Sequence, residues 1–131
     1  MSAIITYLEG TEFQRSRAFS PAVITEGGKT IWLAGQTTTT DASGKDISYD
    51  FEAQAQACFA LIDKTLRQCG GTLANLVTMT VFINDSRLGD RFVKLRGETF
   101  ADGKFPASAL ITVSHFARPG IMLEIQGVAV V

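Results

Sequence analysis

The chain has 131 residues, of which 12 are basic and 13 acidic, for a formal net charge of −1. That length is one domain of ordinary size, and the charge balance lacks the basic surface expected of a nucleic-acid or anionic-membrane binder. Apolar residues make up 46% and glycine another 12 positions, while charged residues reach only 19% against about 25% in an average domain.

Apolar runs are broken every few residues by Thr, Gly, Gln or a charge, so no window approaches the ~20 residues that span a bilayer. Met1 to Arg17 carries Glu9, Glu12, Arg15 and Arg17 without an apolar region leading to a small-residue cleavage site, and the cytoplasm is the expected compartment. Residues 22–26 (AVITE) and 30–35 (TIWLAG) are β-rich and separated by Gly27-Gly28-Lys29, which predicts a hairpin. Between Asp50 and Cys69 the apolar positions Phe51, Ala55, Cys58, Phe59, Ile62 and Leu66 recur at helical spacing. Ser48 or Asp50 is the expected N-cap, and Gly70-Gly71 the stop. Cys58 and Cys69 lie about 16 Å apart along that helix, too far for a disulfide.

Leu76 to Ile83 predicts a strand with Val77, Met79, Val81 and Ile83 on one face. Leu88, Phe92, Leu95 and Thr99 predict a second helix, ending near Asp102-Gly103. Ala107 to Val113 and Ile121 to Val131 are the last strands, separated by a loop. The order ββαβαββ predicts an α+β domain spanning residues 1–131, with two helices on one face of a single mixed sheet. In the last strand Met122, Glu124, Gln126, Val128 and Val130 form a second face that is also largely apolar, although two helices cover only one side. A homo-oligomer is therefore expected, another copy covering the open face.

Glu124, a carboxylate among apolar strand neighbours, is the leading candidate for chemistry; the plainer alternative is a wetted, idle strand residue. Ser108 is either a ligand-binding hydroxyl or an ordinary strand serine, since no Gly-x-Ser-x-Gly motif accompanies it. Gly35 marks a close approach to the backbone or a bulge. Arg15, Arg17 and Arg118 are loop cations able to meet an acid, and His115 reads as a loop residue. With one histidine and no CxxC, no metal site is expected. Thr37 to Thr40 lacks the glycines and lysine of a phosphate-binding loop.

Three segments taken together resemble the RidA/YjgF family of small enamine/imine deaminases: Ile31-Trp32-Leu33-Ala34-Gly35-Gln36, the run from Leu76 to Asp85, and Phe105-Pro106-Ala107 running on to the run from Leu123 to Ala129. The resemblance extends from Phe19 onward. It implies a chorismate-mutase-like fold, a homotrimer whose sheets close into a central barrel, sites in clefts between subunits, and no cofactor. In that family the last-strand Glu orients water for imine hydrolysis, a role that falls on Glu124, and a glycine matching Gly35 lines the cleft. The family's carboxylate-binding Arg is replaced by Ser108. Leu110 stands where many members have Cys, Ala34 where many have Ser, and the usual Tyr near Pro21 is missing, with Phe19 close by. The implied function is a hydrolase or deaminase of a small enamine, imine or related metabolite other than 2-aminoacrylate, with Ser108, Gly35, Arg17, Phe19 and Leu110 holding the substrate. The alternative is a small-molecule-binding or regulatory relative without catalysis.

Overall fold

The structure, a computed structural model, describes residues 2–131. In chain order it forms β1 (Ile4–Tyr7), α1 (Glu12–Ser16), β2 (Val23–Glu26), β3 (Thr30–Trp32), α2 (Phe51–Gln68), β4 (Leu76–Ile83), α3 (Gly89–Thr99), β5 (Ala107–Thr112) and β6 (Leu123–Val130). From β2 onward this is the expected ββαβαββ order. The main sheet has the strand order β3-β6-β4-β5. It is mixed, with β4 and β5 parallel and the other pairs antiparallel.

Helix α2 starts where Asp50 accepts from the Ala53 amide, while Ser48 bonds Asp46 instead. It stops at Gly70, whose φ of 86° suits a residue without a side chain. Its apolar stripe and that of α3 pack on one face of the sheet, where Phe51, Phe59, Ile62, Phe92, Met79, Val81, Leu123 and Ile125 meet in one core. A register shift between Leu76 and Thr78 alters the expected β4 pattern. Leu76, rather than Val77, joins Met79, Val81 and Ile83 in that core.

The hairpin expected across Gly27-Gly28-Lys29 does not form. Both glycines have positive φ, and the chain leaves one sheet for another: β2 pairs with β1 in a separate two-stranded ribbon, and β3 pairs with β6. The sheet is thus divided, because Ile4–Tyr7 supplies β2 with a partner.

Gln54, fully buried, ties the loops to α2. Its Nε2 donates to the carbonyls of Ile47 (3.0 Å) and Gly120 (2.7 Å), and its Oε1 accepts from the Met122 amide (2.9 Å). Gln54→Leu leaves these buried backbone groups unpartnered, so a loss of about 1–3 kcal/mol and a fall in Tm on the order of 10 °C is expected in a thermal melt. A fall under about 2 °C would mean that water replaces the amide.

Candidate functional site

The two sides of the main sheet divide the candidate residues. On β6, Glu124 stands opposite Phe82 and Val128 opposite Thr78 and Trp32, so these side chains share the face away from the helices. Trp32 is 79% exposed there, and Ile111 is also exposed. Of the residues expected to carry the apolar surplus, Met122 instead packs against the core and Val130 is buried within the chain. The open face belongs to Trp32, Phe82, Ile111 and Val128.

Glu124 is half-buried and takes part in no ion pair among the described residues. Beyond β3 the chain stays beside β6 through paired bonds between Gln36 and Ile125, of 2.7 and 3.0 Å. This lays Gly35 on the carboxylate: a Cβ there would overlap Oε2 and stand 3.0 Å from Cδ. The glycine is required for close approach, while its exposed backbone leaves space on the other side.

Ser108 and Leu110 point the opposite way. They stand beside Met79 and Val81 of β4, on the helix side near the sheet's β5 edge. Together with Phe13, Arg17, Phe19, Val93 and Arg96 they line a cavity of about 190 Å³. The segment bearing Arg17 and Phe19 is held there by the Ser20 hydroxyl, which donates to the Phe105 carbonyl (2.6 Å), and by the Ser20 amide on Pro106 (3.2 Å). Between them Ala18, buried, has a φ of 60°, a backbone state that costs a non-glycine residue about 1–2 kcal/mol. Arg17 pairs with Asp90 at 2.6 Å.

Arg96 is the residue that sequence reasoning missed. It is 2% exposed, on the inward side of α3. One terminal nitrogen donates to Ser108 Oγ at 2.6 Å, the other to the Arg17 carbonyl at 3.1 Å, and the guanidinium lies 5.1 Å from the centre of the Phe92 ring. Burial, and secondarily the Arg17 charge, push its pKa down to about 10, so it keeps its proton at neutral pH. A signal was present in the sequence: positions 88, 92 and 96 recur every four residues, placing an arginine on the apolar stripe.

The remaining candidates lie elsewhere. His115 and Arg118 are exposed in the loop before β6, and Arg15 pairs with Glu9 at 3.4 Å. No cluster of potential metal ligands occurs among the described residues. Both cysteines are free thiols. Burial, with a smaller contribution from the Glu124 charge, pushes the Cys58 thiol up to about 12, so it stays protonated at neutral pH. Alkylation of the native protein with iodoacetamide at pH 8 is expected to label Cys69 and spare Cys58 by at least about tenfold in rate, read by peptide mass; equal labelling would show that α2 opens readily.

Comparison with known proteins bears on this arrangement. A family model described as endoribonuclease L-PSP matches residues 10–131. Protein DfrA of Myxococcus xanthus is 32% identical over 114 residues, covering 86% of this chain and 84% of that protein. Among solved structures, the Rid-family protein YyfB of Yersinia pestis, of unknown function, superposes with a TM-score of 0.83 at 25% identity over 100% of both chains. Rv2704 of Mycobacterium tuberculosis, a YjgF/YER057c/UK114 member, does so at 0.68 and 26%, over 98% of this chain and 100% of its own. A match over residues 10–131, joined to this shared fold, places the chain in the RidA/YjgF family.

Proposed function

We propose that this protein hydrolyses the C=N bond of a small enamine- or imine-derived metabolite in a cleft between copies of the chain, most simply a homotrimer. The observation that carries the reading is Glu124, a half-buried carboxylate without a cation partner among the described residues, held against the one residue type that lets it be approached so closely. Such a group can accept a proton from water and aim its oxygen at an electrophilic carbon. Hydration of the C=N carbon followed by loss of the amine as ammonia leaves a carbonyl product. Glu124 and the Ser108 cavity lie on opposite faces of one sheet, so a site using both requires Glu124 from one chain and the cavity of the next. The exposed face around Trp32 and Ile111 supplies the surface for that contact. We place the reaction in the cytoplasm, where free Cys58 and Cys69 stay reduced.

The test is ammonia release from imino acids generated in situ, compared with spontaneous hydrolysis. Catalysis is expected with the native chain, falling on the order of 10²–10³-fold in Glu124→Gln. Light scattering should give a mass above one chain, and a monomer would remove the cleft between copies; no turnover across an imine panel together with saturable binding would favour a binding protein over an enzyme.

A further inference from the structure

We propose that Arg96, with the Ser108 hydroxyl beside it, is a carboxylate-binding site for a short monocarboxylate with an apolar tail. Read with the function above, it assigns the end of the substrate that carries the acid, yet it needs no turnover, so the two proposals stand or fall separately.

Arg96 sits in an electrostatic imbalance. A buried guanidinium is costly unless an anion or a full set of acceptors offsets it, yet no carboxylate pairs with Arg96 among the described residues. Its Nε is buried without a hydrogen-bond partner among the described residues. The two acceptors it has are neutral, a hydroxyl and a carbonyl. Asp90, which pairs with the neighbouring Arg17, is itself exposed. The cavity thus holds two cationic side chains and no acidic lining residue.

Its remaining walls define the rest of the ligand. Phe13, Phe19, Val93 and Leu110 are apolar, which suits a branched or unsaturated hydrocarbon tail and disfavours a second charge. Ser108 Oγ accepts from Arg96, and its own proton makes only a long contact, 3.5 Å, to the Ala109 carbonyl, from which it can turn to donate to an incoming carboxylate oxygen, while each terminal nitrogen of Arg96 retains a second N–H. A serine at this position keeps the space above the guanidinium open, where a longer side chain on β5 would fill it. The cation therefore acts from α3, the element that Ser108 faces, rather than from β5 itself.

The experiment uses the full chain with 3-methylbutanoate and its neutral isostere 3-methylbutanamide, followed by calorimetry and by the Arg96 side-chain N–H resonance. The acid is expected to bind saturably, at least about 30-fold more tightly than the amide, and to shift that resonance. Arg96→Met should lower affinity for the acid to that for the amide. Arg96→Lys, which keeps the charge but not the fork, should retain part of the preference. A merely structural arginine makes the opposite prediction: acid and amide bind alike, the resonance does not move, and Arg96→Met only lowers Tm. Equal binding of acid and amide to the native chain overturns the proposal even if Arg96→Met fails to fold. Loss of turnover in Glu124→Gln with this binding intact would separate the two sites.

Discussion

Gly35→Ala is expected to abolish most of the ammonia-releasing activity while leaving the melting temperature nearly unchanged. The added methyl would overlap Oε2 of Glu124 and crowd its Cδ. Only the carboxylate is free to yield, because Gly35 precedes Gln36, whose backbone is tied to Ile125 in both directions. Rotation of the glutamate moves the oxygens by about an ångström or more, and misplacement on that scale costs on the order of 10²-fold in rate. Stability should not follow, since Gly35 is exposed and its φ is not positive, so alanine adopts the same backbone. The measurement is kcat alongside a thermal melt, with Glu124→Asp in the Gly35→Ala background as a companion: the shorter acid relieves the overlap and should restore part of the rate. Full activity in Gly35→Ala would remove Glu124 from the reacting centre, whatever else the cavity binds.

Much of the architecture was legible because it follows from periodicity. Helices α2 and α3 and strands β4 and β6 carry enough apolar positions at a fixed interval to declare type and most of the buried face, Val77, Met122 and Val130 excepted, while β5 declares its type but no face. What escaped was short or set by distant partners. Strand β1 has only four residues, alternately exposed and half-buried, and α1 only five, so neither shows a period. The start of α1 was still written locally, in the Thr11 to Gln14 capping box. The hairpin expectation failed because a glycine turn between two strands does not reveal which strands they pair with; here the partners are 16 to 22 residues away in β1 and 96 to 100 residues away in β6.

The candidate site was legible in parts but not as an assembly. Glu124 and Gly35 were each conspicuous, one as a carboxylate in an apolar strand and the other as a glycine at a strand's end, and the structure brings them together. Ser108 was conspicuous as the place where the family's arginine is missing. That a cation nonetheless reaches the same corner depends on how α3 packs against β5, twelve residues along the chain from Arg96 to Ser108. Alternation along β5 and β6, read with their pairing to β4, also places Ser108 and Glu124 on opposite faces, a relation neither strand discloses alone.

Ser108→Arg is expected to damage this protein rather than improve it, because the new guanidinium would be directed at Arg96, whose nitrogen lies 2.6 Å from Ser108 Oγ. Two like charges about 4 Å apart in a partly desolvated site repel by up to about 4 kcal/mol at an effective dielectric near 20, and the loss of a hydroxyl acceptor adds to this. A fall in Tm on the order of 10 °C and loss of 3-methylbutanoate binding should follow. The double substitution Arg96→Met with Ser108→Arg removes the conflict and leaves one cation, now carried by β5. It should recover stability beyond the sum of the single effects, by on the order of 1–3 kcal/mol in a double-mutant cycle. Carboxylate binding should also return, since one guanidinium again faces the cavity. Additive single effects would show that Arg96 swings clear of position 108, and that the two positions do not share one anion site.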